Sequence, residues 1–223
     1  MERITLTQDK IKYAMEFSHM FFDEDGWVQP VDYVELKKLD FECLRIFFQL
    51  TGIYGCITHQ LVDWLWDRID DDTIEIGSGN GTLGRALDIR CTDNFFQERE
   101  DIKELYRNLD STCIKYPPWV ENLDGVEAVK KYKPKNVVGS WITRKYNPKQ
   151  HQYGGNIHGV DELEMFKHTE KYFLIGSEYE HFKKHKNGLF KKYPCKVHKG
   201  VKFMSRSKRN DDTIYEFYKK SNR

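Results

Sequence analysis

Thr73-Ile-Glu-Ile-Gly-Ser-Gly-Asn-Gly81 is the stretch on which the fold turns. A short run with β-branched residues ends directly in three glycines at alternate positions, 77, 79 and 81, and a helical pattern over 82–87 follows. Glycine is favoured where φ must be positive or where a ligand lies against bare backbone. A helix starting there would aim its first N–H groups at that ligand. In open parallel sheets the crevice beyond a strand's carboxyl end is the expected ligand site.

Working outward, the spacing predicts strands over 73–76, 89–92, 113–116, 136–142 and 171–176. Helical patterns over 82–87, 98–109, 123–132 and 160–171 separate them. Strands alternating with helices imply a mostly parallel sheet with right-handed crossovers. Further on, 201–205 and 213–218 flank the polar segment 206–212, which predicts an antiparallel hairpin. Upstream, apolar residues recur at helical spacing over 7–22, 32–50 and 58–69. Two parts are therefore expected: a helical lead-in or cap over 1–70 and an α/β domain over 71–223.

The residues of the central loop resemble the first motif of class I S-adenosylmethionine-dependent methyltransferases, a strand followed by E-x-G-x-G-x-G. The segments Thr92-Asp-Asn-Phe-Phe-Gln-Glu-Arg-Glu100 and Gly139-Ser-Trp-Ile-Thr143 are similar to an uncharacterised branch of that family. The resemblance covers about 73–218 and implies a Rossmann-like methyltransferase fold. Its mostly parallel central sheet would end in a C-terminal antiparallel hairpin, with the helical lead-in in front. It further implies that Gly77, Gly79 and Gly81 lie under the methionine part of S-adenosylmethionine and that Glu75 helps hold the ammonium. Asp93, after the second strand, would bind the ribose hydroxyls. Ser78, Asn94 and Ser140 complete the implied cofactor-binding set. Only 12 positions separate Gly81 from Asp93, a short interval for the family. Gly79-x-Gly81-x-x-Gly84 also satisfies the dinucleotide fingerprint, which wants an acid about 20 residues on, whereas Asp93 arrives after 14.

The family places catalytic residues where the fourth strand ends, which here selects Trp141 and Thr143. Between Thr143 and the next helix lies a long loop rich in Gly, His and Tyr, and loops of that kind at a sheet's functional edge are more often sites than spacers. His151 and His158 are its candidate bases for an acceptor that must lose a proton, and Asp161 is placed to cap the helix that follows. Trp119 is a candidate cover for the adenine face, and His59-Gln60 for the methionine end. Tyr116-Pro-Pro-Trp119 is similar to the D/N/S-P-P-Y/F/W motif of amino-group DNA methyltransferases but follows the third strand instead of the fourth. Pro194-Cys195 lies beyond the fifth strand, where a nucleophilic cysteine has no role to play. His181 and His185 stand one helical turn apart with no third ligand nearby, so no metal site is expected.

The net charge of +1 conceals a gradient. Residues 1–110 carry 12 Lys and Arg against 23 Asp and Glu, whereas residues 181–223 carry 14 against 3. Such a basic end can attract a polyanion, so nucleic acid is a candidate partner beside S-adenosylmethionine and an unidentified methyl acceptor. The five cysteines form no CxxC pair, and a reduced, cytoplasmic protein is expected. The polar first ten residues do not read as a signal peptide. The most apolar stretch, 43–57, is broken by Arg45 and Gln49 and is too short to span a bilayer. Methyl transfer is the leading expectation. The same loop would equally serve a protein that senses, sequesters or cleaves S-adenosylmethionine, or a nucleic-acid-binding module with a structural Rossmann core.

Overall fold

The computed structural model describes residues 7–183, 188–205 and 212–220. His185 and most of the expected 206–212 turn lie outside them. The chain opens with α1 (Gln8–Glu16), α2 (Tyr33–Leu36), α3 (Phe41–Thr51), a two-residue strand β1 (Gly55–Cys56) and α4 (His59–Trp66). The pattern over 32–50 is two helices, because Asp40 accepts the Cys43 N–H at 2.9 Å and starts a second one. Gly52, at φ 72°, ends it in the left-handed conformation. These helices close a core of their own around Phe17, Phe21, Leu36, Phe47 and Phe48, with the Phe21 and Phe47 rings 4.7 Å apart.

Then follow β2 (Thr73–Ile76), α5 (Thr82–Ala86), β3 (Arg90–Asp93), α6 (Glu100–Asn108), β4 (Val120–Asn122), α7 (Gly125–Tyr132) and β5 (Asn136–Ser140). The chain continues through α8 (Glu162–Met165), β6 (Lys171–Ser177), α9 (Leu189–Lys192), β7 (Cys195–His198), β8 (Met204–Ser205) and β9 (Asp212–Tyr218). A seven-stranded sheet runs β4-β3-β2-β5-β6-β9-β7. Its first five strands are parallel, and β9 is antiparallel to both neighbours. Central strands β2, β5 and β6 are buried along nearly their whole length, as a sheet covered on both faces requires. Ile74, Val137, Tyr172 and Leu174 meet α7, α8 and α9 on one face, while Val138, Phe173 and Ile175 meet α4 and α5 on the other. The architecture is α/β with a mostly parallel mixed sheet, compatible with a Rossmann-like fold. Among the described residues no helix is long and apolar enough to cross a membrane.

Four expectations need correction. The third strand is β4 at 120–122 and not 113–116. The N–H of Thr112 goes to the Gln49 carbonyl at 3.0 Å and that of Ile114 to Gln97 Oε1 at 2.9 Å, so the earlier stretch leaves the sheet. The fourth strand stops at Ser140, because Trp141 turns the chain at φ 50°. The partner of β9 is β7, paired from Cys195↔Phe217 to His198↔Ile214, and not 201–205. That segment is drawn to the lead-in: Met204 pairs with Cys56, the Lys202 carbonyl accepts the Thr58 hydroxyl, and Phe203 is buried against Trp141. The helix expected over 160–171 is only α8 and a 3-10 turn at Phe166–His168.

Candidate functional site

Strand order reverses between β2 and β5, whose carboxyl ends diverge towards opposite halves of the sheet. A cleft opens there at the strand ends, lined from both halves of the sheet and from the lead-in. Its floor is the glycine turn after β2. Gly77, Gly79 and Gly81 have φ of 56°, 55° and 63°, a region where a side chain is strained. A Cβ on Gly79 would lie 3.2 Å from Ile114, and one on Gly81 2.6 Å from Val120.

The turn holds itself together through its own N–H groups. Ser78 donates to the Thr92 carbonyl at 3.0 Å and Gly81 to the Ser78 carbonyl at 2.9 Å. Gly79 donates to Asp93 Oδ2 at 2.9 Å. The first turn of α5 is likewise occupied, since Thr82 N–H reaches Asn80 Oδ1 at 3.3 Å and Gly84 N–H reaches Glu75 Oε2 at 2.9 Å. The expectation that this helix aims its N–H groups at a ligand is therefore not met by Thr82 or Gly84. Five residues long and capped from below, it presents few of them.

Asp93 ends β3 with its other oxygen on the Phe95 N–H at 3.0 Å. Burial raises its pKa against the lowering effect of those donors. Glu75 is 1% exposed, and burial pushes it up to about 8, with the Gly84 N–H and the Cys91 thiol pulling the other way. Tyr116 stacks on Phe95 with ring centres 4.1 Å apart, and burial beside Asp93 holds its hydroxyl in the protonated form.

The opposite wall is the loop after β5. His158 is latched to the β3 exit: its carbonyl accepts Asn94 Nδ2 at 2.8 Å, and its ring stacks on Phe96. Its N–H meets Asn156 Oδ1 at 2.9 Å, and its Nε2 lies 3.2 Å from Arg99 Nη1. Arg99 can only donate, so Nε2 accepts and the ring proton sits on Nδ1. Trp141 lies over Gly55, where a Cβ would come within 2.3 Å of the indole. Ser140 Oγ is closed off from solvent and has no hydrogen-bond partner among the described residues.

No protein-family model matches this chain, and no curated protein does.

The cleft brings together Glu75, Gly77, Ser78, Gly79, Asp93, Asn94, Ser140, Trp141, Thr143 and His158. Gly81 lies behind it, its carbonyl accepting the Trp119 indole N–H at 3.3 Å. Trp119 accordingly covers no part of the cleft; it packs against Trp27 and under Arg85. His151 is exposed and outside the cleft. Gln60 is turned away, accepting the Tyr33 N–H and donating to Asp32, and His59 is exposed. Cys195 is a strand residue pairing with Phe217, and burial pushes its thiol up to about 12, which leaves it unreactive. Asp161 caps α8 through the Glu164 N–H at 3.1 Å.

Several wall residues escape sequence reasoning. The lead-in contributes Gly52, Tyr54, Gly55 and Ile57, a loop where only a helix start looked relevant. Phe96, Gln97, Ile114 and Asp124 come from turns after β3 and around β4, whereas Tyr116 opens the 116–121 stretch expected to border the adenine. The paired aromatics of Phe95-Phe96 directly after Asp93 were the one available signal. The cleft's acidic side chains are Glu75, Asp93 and Asp124, and among the described residues neither Lys nor Arg lines it.

Proposed function

We propose that this chain is an S-adenosylmethionine-dependent methyltransferase with a Rossmann-like methyltransferase fold. One observation carries the reading. The cleft at the switch point has a positive-φ glycine floor in which the Ser78, Gly79 and Gly81 N–H groups are spent internally, and its walls carry carboxyl groups with, among the described residues, neither Lys nor Arg. A pyrophosphate needs free N–H donors or cations, so a dinucleotide is poorly served. A nucleoside bearing a cationic sulfonium and an ammonium suits the same walls. The sheet points the same way. Counted from β2, its strand order is 3-2-1-4-5-7-6, whereas the dinucleotide fold runs 3-2-1-4-5-6. The antiparallel seventh strand agrees with the antiparallel ending that the methyltransferase resemblance implies.

When bound, S-adenosylmethionine supplies an electrophilic methyl group on sulfur. The protein's part is placement. Asp93, fixed by two backbone N–H groups, faces the ribose hydroxyls, and Glu75 lies below the ammonium end. Gly77 and Gly79 let the methionine part approach bare backbone. Tyr116 and the Phe95-Phe96 turn border the base. Ser140, Trp141, Thr143 and His158 face the acceptor side, where holding the nucleophile in line with the S–CH₃ bond provides much of the rate. The test is calorimetric titration with S-adenosylhomocysteine, expected to bind the wild type and to be lost in Asp93→Ala and Gly79→Val. Absence of binding to the wild type refutes the reading. Turnover then yields S-adenosylhomocysteine for transfer, or methylthioadenosine for a cleaving enzyme.

A further inference from the structure

We infer that Gln97 is a positioning residue for the ligand of this cleft: its single carboxamide sets the lead-in wall through Tyr54 and the wall above Gly79 through Ile114. The part that concerns the ligand rests on the proposed function and deepens it.

Gln97 lies just beyond Asp93, in the 3-10 turn Phe96–Glu98, and is 4% exposed. That turn is pinned to the end of β3. The Phe95 N–H goes to Asp93 Oδ1 at 3.0 Å and the Phe96 N–H to Asn94 Oδ1 at 3.2 Å. From this anchored backbone the side chain reaches two distant segments. Gln97 Oε1 accepts the Ile114 N–H at 2.9 Å, and Nε2 donates to the Tyr54 hydroxyl at 3.2 Å. A backbone N–H only donates, which fixes the orientation of the amide and leaves its N–H₂ facing Tyr54. Tyr54, Gln97 and Ile114 all line the cleft.

Each contact places something the ligand would meet. A Cβ on Gly79 would come within 3.2 Å of Ile114 Cδ1, so Ile114 bounds the space over the floor. The same turn holds Gly79 from the other side, because Asp93 Oδ2 takes its N–H at 2.9 Å. Residues 93–97 therefore fix both the floor and what stands above it. Tyr54 precedes Gly55, on which Trp141 lies, and its hydroxyl also meets that of Tyr106 in α6. An apolar side chain of the same size could fill the space of Gln97, but it would give neither segment a fixed partner. A buried polar group with both ends satisfied specifies one arrangement, and a binding site needs its walls held within about 0.5 Å.

Gln97→Met is close in size and removes both bonds, whereas Gln97→Glu keeps an acceptor for Ile114. Three readouts are compared: amide hydrogen exchange at Ile114 by NMR, calorimetric titration with S-adenosylhomocysteine, and Tm. In Gln97→Met the Ile114 amide is expected to exchange about tenfold faster, and the nucleoside to bind about tenfold weaker, the size of one lost hydrogen bond. Gln97→Glu should keep the Ile114 amide protected and recover part of the affinity. Tyr54→Phe should weaken binding in the wild-type background yet add little to Gln97→Met, because the two act through one contact. A lower Tm with unchanged affinity in Gln97→Met, the mark of a merely structural role, overturns the inference. So does unchanged exchange at Ile114, or a Tyr54→Phe loss that simply multiplies with that of Gln97→Met. Exchange at Ile114 is read without ligand. Failure of the wild type to bind the nucleoside, which refutes the methyltransferase reading, is therefore seen separately from an unchanged Ile114 amide, which refutes this one.

Discussion

Replacing Glu75 by Gln should make the protein more stable at neutral and alkaline pH, and its size follows from where the carboxyl sits. Glu75 is buried in the sheet and held up to about 8, against an ordinary value of 4.5. An acid whose folded pKa is raised contributes stability at low pH and loses it as pH climbs from the unfolded to the folded value. The window here is therefore about pH 4.5 to 8. At ~1.4 kcal/mol per pH unit, wild-type stability should fall by roughly 3 kcal/mol by pH 7 and by roughly 5 kcal/mol above pH 8. Asp93, also raised by burial, acts with the same sign. Gln presents a carbonyl oxygen to the Gly84 N–H and an N–H₂ where the neutral acid carries its proton, so it copies the protonated state and cannot ionise. Guanidinium unfolding followed by tryptophan fluorescence at pH 5, 6, 7 and 8, at constant ionic strength, measures both proteins. Near pH 5 they should agree within about 1 kcal/mol, and by pH 8 Glu75→Gln should lead by several kcal/mol. A wild-type stability that is flat or rising across the window, or an equal slope in the variant, would refute the assignment of a buried neutral carboxyl beneath the glycine turn.

Further outcomes follow from the same geometry. If the ligand's ammonium lies over Glu75, binding of S-adenosylhomocysteine at pH 7 should release protons, seen as a dependence of calorimetric enthalpy on buffer ionisation heat, and Glu75→Gln should abolish that release. Gly55→Ala would place a Cβ 2.3 Å from the Trp141 ring; overpacking of this kind costs about 1–3 kcal/mol, read as a drop of several degrees in Tm by scanning calorimetry. Gly84→Ala meets Cys91 Sγ at 2.3 Å, so it should destabilise by a similar amount, and Cys91→Ala in the same chain should recover much of the loss. His158→Ala removes the latch to Arg99 and Phe96 and should raise the dissociation rate of S-adenosylhomocysteine in stopped-flow displacement, with little change in Tm.

The alternation of apolar runs and helical stretches after residue 70 was enough to give a layered α/β sheet, because strands covered on both faces leave a continuous apolar signature in the chain. The glycine turn was equally plain: positive φ at 77, 79 and 81 disfavours other residues by local sterics, and the acid ending the next strand lies within the same unit. Ser140, Trp141 and Thr143 were readable as cleft residues because they end a strand or follow its end closely, and His158 because the loop beyond them is rich in Gly, His and Tyr.

What the chain could not announce depended on contacts between distant segments. That 201–205 would leave the hairpin for Cys56 and Thr58 is decided by burial of Phe203 beside Trp141 and by pairing with the lead-in. The third strand moved to 120–122 because donors of 112–114 found partners in Gln49 and Gln97. The consumption of the turn's own N–H groups, the placement of Tyr54 and Gly55 in the wall, and the exclusion of His151 are three-dimensional for the same reason. Local sterics and periodicity are written residue by residue. Which donor meets which acceptor, and therefore which charge a cleft will accept, is settled only when segments far apart in sequence are folded against one another.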